Sequence, residues 1–180
     1  MPYVGGDEFL GVAREPVTRD PSEEESKAFS AVLRFLAARD RCAADMDRKL
    51  ADKGFDADTR ASAIERAQAC GLLDDARYAG SFIRMRVAQS KGRMRIEREL
   101  EESGIALSDV PGWPDDFFGG ESEADRAYAS LVARPPRRSR DVRATAYRRL
   151  VRKGFAPSAA RSAACRYAEN DAYFSRMDEA

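Results

Sequence analysis

Basic residues, most of them arginines, are the part of this 180-residue sequence with the clearest capacity for chemistry. The planar guanidinium group makes bidentate hydrogen bonds to carboxylates and phosphates. Bases also occur on ordinary solvated helix faces near helix C-termini, and Arg152 and Lys153 fit that simpler interpretation. The Pro135-Pro136 turn does not fit it, because the arginines that follow have no compensating acid beside them. We therefore predict a surface for an anionic partner, formed by Arg77, Arg84, Arg86, Lys91, Arg93, Arg95, Arg98, Arg137, Arg138, Arg140, Arg143 and Arg148.

Charge is segregated along the chain, although 31 basic and 31 acidic residues cancel overall. Residues 77–100 carry a net charge of +5, and residues 126–166 carry +11. Residues 101–125, which lie between them, carry −8. Two basic blocks separated by an acidic one indicate an anionic partner that is contacted at more than one place.

Groups for catalysis or metal binding are scarce. The sequence has no histidine, which excludes most zinc and iron sites and any catalytic triad that uses imidazole. Cys42, Cys70 and Cys165 lie far apart without CxxC spacing, so we interpret them as core or near-core residues of a protein in a reducing compartment. The pairs Asp74-Asp75 and Asp115-Asp116 fall at predicted helix starts, where capping explains them. We expect no enzyme activity, no cofactor and no metal.

A pattern of eight residues occurs three times at a spacing of fifty residues, and it indicates the helices that carry the charges. It reads RKLADKGF at 48–55, RELEESGI at 98–105 and RRLVRKGF at 148–155. A glycine just past a helix end takes the left-handed conformation, and the apolar residue after it packs back on the last helical turn. The pattern predicts structural turns at Gly54, Gly104 and Gly154, with Leu50–Phe55, Leu100–Ile105 and Leu150–Phe155 in contact.

The same period predicts an all-α chain of three tandem three-helix repeats. We place them at residues 27–73, 74–120 and 121–170, between an acidic tail at 1–26 and a C-terminal tail at 171–180.

When the repeats are aligned at a spacing of fifty residues, Val32-Leu33 in the first helix of the first repeat corresponds to Phe82-Ile83 and Val132-Ala133 in the first helices of the second and third repeats. We expect Asp40, Ser90 and Asp141 to cap the second helices, and Asp74 or Asp75 to cap the first helix of the middle repeat. Third helices are expected at about 57–69 and 157–169.

The third helix of the middle repeat is irregular, since Pro111, Gly112 and Pro114 interrupt it. Leu107, Val110, Trp113 and Phe117 keep near-helical spacing, which favours two short turns packed on the core. An acidic, partly ordered linker is the alternative.

Residues 1–25 have weak apolar periodicity and many acids, so we expect them to be mobile or loosely attached. The first residues do not resemble a secretion signal, and the sequence has no apolar run of about 18 residues. We expect a cytoplasmic protein.

Three segments of the chain resemble the RecX regulatory proteins. They are residues 37–55, GLLDDARYA at 71–79 and KGRMRIEREL at 91–100, and the likeness covers about residues 27–170. The GLLDD junction followed by the KG…I…L helix is the specific feature. The interrupted third helix of the middle repeat departs from the family's pattern.

This resemblance implies a non-enzymatic modulator of the RecA recombinase, built as an elongated, curved solenoid of three-helix repeats. Such a protein lies in the groove of the RecA–DNA filament and inhibits its growth, and with it ATP hydrolysis, strand exchange and the co-protease role in the SOS response. The implied partners are RecA and the RecA–DNA filament, with weak direct DNA contact, and we expect a monomer.

Two other hypotheses stay open. The +11 block and the tight glycine turns also fit a helix-turn-helix-like DNA-binding protein that acts without RecA. Zero net charge and the lack of a polar recognition helix with Asn or Gln speak against it. A generic helical scaffold would have no effect on RecA.

Overall fold

The structure, a computed structural model, describes residues 22–136 and 139–177, with side chains as far as residue 170. Within those ranges the chain is all helical. The helices are α1 (Glu23–Ala38), α2 (Ala43–Ala51), α3 (Ala57–Ala69), α4 (Asp75–Ala88), α5 (Arg93–Glu102), α6 (Asp115–Phe118), α7 (Glu123–Ala133), α8 (Val142–Lys153) and α9 (Pro157–Met177). A short 3-10 helix, Leu107–Asp109, lies between α5 and α6. Helices α1–α3, α4–α6 and α7–α9 form unit one, unit two and unit three, each around its own hydrophobic cluster, which confirms the predicted fold class.

The three glycine turns have the geometry that the repeated string predicts. Gly54, Gly104 and Gly154 have φ of +87°, +80° and +86°. The amides of Phe55, Ile105 and Phe155 donate to the carbonyls of Leu50, Leu100 and Leu150, over 3.2, 3.1 and 3.2 Å. These leucines are fully buried, so each turn fixes the end of a second helix against the core of its unit.

The first helices do not follow the fifty-residue period. Val32, Ile83 and Leu131 are the fully buried residues, and they are spaced by 51 and 48 positions. Leu33 and Val132, which the alignment placed with the core positions, are 42% and 54% exposed. That alignment was wrong: the connection from the first to the second helix is longer in unit three, and in unit two Ile83 rather than Phe82 takes the buried position of Val32.

The predicted caps at Asp74 and Asp141 are confirmed. Each carboxylate accepts a hydrogen bond over 2.8 Å, Asp74 from the Arg77 amide and Asp141 from the Ala144 amide. The caps predicted at Asp40 and Ser90 are wrong, because α2 follows Cys42 and α5 follows Gly92 without a side-chain cap of their own.

Carboxylates from the next unit cap α2 and α5 instead. The Asp75 carboxylate accepts from the Ala43 amide over 2.8 Å, and the Glu123 carboxylate accepts from the Arg93 amide over 3.3 Å. In both cases, the first residue of one unit's first helix holds the first amide of the preceding unit's second helix. The units are therefore joined through their helix ends.

A second contact repeats at both joints. The amides of Gly92 and Met94, at the start of α5, donate to the carbonyls of Lys153 and Gly154 at the end of α8, over 2.9 and 3.1 Å. The start of α2 also lies on the end of α5, but there the contact is a side-chain bond, since the Cys42 thiol donates to the Ser103 carbonyl over 3.3 Å. Helices α2, α5 and α8 thus meet head to tail, and opposite ends of their dipoles face each other.

Unit two has a packed third element. The chain forms the 3-10 helix and then α6, and Val110 between them is only 4% exposed. Trp113 packs on Phe117 with ring centroids 5.8 Å apart, and the Arg126 guanidinium of unit three stacks 3.7 Å above the Phe118 ring. The interpretation as two short packed turns is confirmed, and the linker alternative is wrong.

The tails are shorter than predicted. Helix α1 begins at Glu23 because Ser22 and Glu25 form a capping box, with reciprocal bonds of 3.1 and 2.6 Å. Helix α9 continues to Met177, inside the predicted C-terminal tail. Of residues 1–25, for which we expect mobility, residues 22–25 form the start of α1, and residues 1–21 lie outside those that the structure describes.

Candidate functional site

The arginines of unit two mostly have acidic partners within that unit. Arg86 Nε lies 2.7 Å from Glu99 Oε2, and the Arg86 guanidinium stacks 4.7 Å above the Phe82 ring. Arg95 Nε donates to the other oxygen of Glu99, Oε1, also over 2.7 Å. One carboxylate thus holds two of the predicted binding residues on the α4–α5 surface.

The same pairing continues along α5. Arg93 pairs with Glu97 over 2.7 Å, and Arg98 pairs with Glu102 over 3.4 Å. Both pairs have the i,i+4 spacing of neighbours on a helix face. An incoming anion would compete with these carboxylates, because four of the seven bases in residues 77–100 are already paired.

The remaining predicted residues of unit two are scattered. Arg77 donates to the carbonyls of Gly71 and Leu72, each over 3.4 Å, and so holds the turn between α3 and α4. Arg84 is exposed, and Lys91 is half-buried near the joint with unit three. Neither has an acidic partner within ion-pair distance among the described residues.

Among the described residues, the predicted binding arginines of unit three differ from most of those in unit two because they lack acidic partners. Arg140, Arg143 and Arg148 are exposed, and none pairs with an acid in the part of the chain that the structure describes. Arg148 donates only to the Thr145 hydroxyl, over 3.3 Å. Arg137 and Arg138 lie outside the described residues. That the predicted cations of both units bind a partner stays a prediction.

A cluster of like charges lies at the joint between units two and three. Lys153 Nζ donates to the Ser130 hydroxyl over 2.6 Å. Burial lowers the pKa of Lys153, and the nearby charges of Arg149, Lys91 and Arg134 lower it further. Arg149 is held by the Pro135 carbonyl, over 3.0 Å. These bases make the joint electropositive while serving the packing of α8 against α7.

Arg161 is the residue that the sequence analysis missed. It lies on α9 and lines a pocket of about 380 Å³ together with Arg143, Ala144, Tyr147, Ala164 and Cys165. The signal was available in the sequence, because Arg161 lies one helical turn past the start of the predicted third helix, on a helix that must pack beside α8.

Metal-binding clusters, membrane-spanning helices and the cysteines were compared with the sequence-based expectations in the described ranges. Within them, no group of three or more Cys, Asp or Glu side chains is arranged to hold a metal ion. No helix there combines the length and apolar content that a membrane span needs. Cys42 is buried and Cys165 half-buried, but Cys70 is exposed, contrary to prediction, because it is the residue at which α3 ends.

Comparison with known proteins decides the family. Residues 28–66 match the first three-helix domain of RecX, and residues 74–110 match the second. The Mycobacterium ulcerans protein named regulatory protein RecX is 34% identical over 155 residues, covering 81% of this chain and 86% of its own length. The chain belongs to the RecX family. The RecX of Halorhodospira halophila is a further relative, 31% identical over 144 residues, with 78% and 88% of the two chains covered.

Solved RecX structures have the same fold. The crystal structure of RecX from Lactobacillus salivarius matches with a TM-score of 0.63 at 21% identity, over 80% of this chain and 96% of that one. A second RecX crystal structure matches with a TM-score of 0.58 at 24% identity, over 76% and 69%. At these identities the likeness concerns the fold alone.

Proposed function

We propose that this RecX family protein binds RecA and the RecA–DNA filament and inhibits filament growth. Slower growth would reduce ATP hydrolysis, strand exchange and SOS co-protease activity, since all three need the assembled filament. Membership of a family of regulatory proteins carries the proposal. We further propose that the protein acts in the cytoplasm as a monomer, by binding rather than by catalysis.

The repeated joints between units support this proposal. At two successive joints, the start of one second helix lies on the end of the next, and a carboxylate from the next unit accepts from its first amide. An array of similar units presents its surfaces at regular steps, as solenoid proteins do. A polymer of identical subunits is a partner that such an array can contact several times.

Co-sedimentation with RecA filaments tests the binding step. Filaments are assembled on single-stranded DNA, and the protein is added before or after assembly. We expect the protein in the filament pellet, and we expect shorter filaments when it is added first. If the protein pellets only with bare DNA and never raises binding when RecA is present, the RecA-independent alternative is favoured.

A charge-reversal pair of variants tests the role of unit three. The first variant carries glutamate at Arg137, Arg138 and Arg140. A matched control in unit one needs bases that are exposed. Arg41 does not qualify, because its side chain is only 9% exposed and pairs with Asp45. The matched control therefore reverses exposed bases of unit one, namely Lys27, Arg34 and Lys53. We expect the first variant to lose filament binding and the control to keep it; equal behaviour of the two would contradict the charge argument.

A further inference from the structure

The pocket between α8 and α9 is the clearest unassigned site in the described part of the chain. Its volume is about 380 Å³. Arg143 enters it from the first turn of α8, and Arg161 enters it from the second turn of α9. Tyr147 and the small residues Ala144 and Ala164 also line it, so the pocket combines two arginines with a partly apolar surface.

Both arginines are available to an incoming anion. Each is exposed, and neither has an ion-pair partner among the residues that the structure describes. The arginines of α5 differ, because Glu97, Glu99 and Glu102 neutralise them. An anion that binds at Arg143 and Arg161 therefore displaces water rather than a carboxylate.

The pair of arginines occurs in unit three alone, because unit two has Arg93 at the position of Arg143 but Pro111 at the position of Arg161. At the corresponding positions of α2 and α3, one hundred residues earlier, unit one has Ala43 and Ala61 in place of the two arginines. It also has Asp47 in place of Tyr147. The cationic pocket is thus a property of this unit's own residues.

The arrangement favours a phosphate group of a nucleic-acid backbone. Arginine forks suit tetrahedral phosphate oxygens, and an aromatic ring beside them suits a sugar or a base. Further exposed cations lie along the same unit, at Arg140 and Arg148, which matches a polymer with regularly repeated charges better than a single carboxylate.

We propose that the Arg143–Arg161 pocket binds the phosphate backbone of single-stranded DNA directly. The proposed function assigns no residues to DNA, whereas this proposal names a site and a ligand that can be tested without RecA.

Fluorescence anisotropy with a labelled oligothymidine, measured without RecA over a range of NaCl concentrations, tests this proposal. The pocket variant is Arg143→Gln with Arg161→Gln. The control is Arg34→Gln with Lys53→Gln, which removes two exposed bases of unit one. Circular dichroism melting curves verify that both variants fold.

We expect the pocket variant to bind about tenfold or more weakly than the control at moderate salt. The slope of log affinity against log salt should become shallower by about 1.4, because two contacts to a single strand are lost. Equal loss in both variants, or no loss in either, overturns the proposal. Unchanged DNA binding with lost binding to free RecA also overturns it, in favour of an acidic protein surface as the ligand. Failure of RecA inhibition alone leaves the DNA result intact, so this proposal and the proposed function can fail separately.

Discussion

Replacement of Gly92 by alanine tests the joint between units two and three. Gly92 has an ordinary φ of −76°, so alanine brings no backbone strain there. An added Cβ would overlap the amide nitrogen of Phe155 and the carbonyl group of Gly154. The substitution therefore perturbs the contact between α5 and α8 and nothing local to α5.

The magnitude follows from the contacts at stake. Overpacking costs about 1–3 kcal/mol, and each of the two lost hydrogen bonds between the units costs about 1 kcal/mol. Alanine also lowers the entropy of the unfolded chain, which returns about 0.4–1 kcal/mol. We expect Gly92→Ala to lower the free energy of unfolding by about 2–4 kcal/mol.

Urea unfolding followed by far-ultraviolet circular dichroism measures this effect. Because each unit has its own core, an opened joint should also split the transition into two. The control is Gly54→Ala, where φ is +87° and no atom lies within 4 Å of an added Cβ. That control should lose about 1 kcal/mol from backbone strain alone. A Gly92→Ala protein as stable as the unmodified one, or less affected than the control, would show that the contact between α5 and α8 does not stabilise the protein.

Two further predictions concern carboxylates. Glu123→Ala removes the acceptor for the amides of Arg93 and Ala156, so the free energy of unfolding should fall by about 1–2 kcal/mol in urea titrations, and Glu123→Gln should restore most of it; equal losses would contradict the capping role. Hydrogen bonds from the Thr59 amide and hydroxyl hold the pKa of Asp56 below its ordinary value of 3.8. The folded state therefore favours the charged form, and this contribution is complete above pH 3.8 and is lost as the pH falls through the lower folded pKa. Melting temperatures across that range should fall less steeply for Asp56→Asn, and an unchanged profile would show that Asp56 does not act this way.

The parts of the fold that could be predicted from sequence are those set by chemistry between close neighbours in the chain. The glycine turns need only a left-handed residue and an apolar residue after it, so their spacing was sufficient evidence. The caps at Asp74 and Asp141 are equally local. The capping of α2 by Asp75 was missed because the acceptor and the amide lie 32 residues apart.

The candidate site shows the same division. The pairs of Arg93, Arg95 and Arg98 with glutamates four residues later follow from helical spacing, and the sequence analysis could have used them to discount those charges. The pair of Arg86 with Glu99 joins two helices, and its formation depends on how α4 packs on α5. Arg161 belongs to the basic block of the sequence, and the packing of α9 on α8 then places it in the same pocket as Arg143.

RecA's ATPase activity on single-stranded DNA, measured while this protein is titrated in, tests the central claim most directly. If the protein blocks filament growth, hydrolysis should fall at fewer than one molecule per RecA protomer, because one bound molecule prevents the addition of many subunits. A hydrolysis rate that stays unchanged even with the protein in excess over RecA would contradict the proposed function.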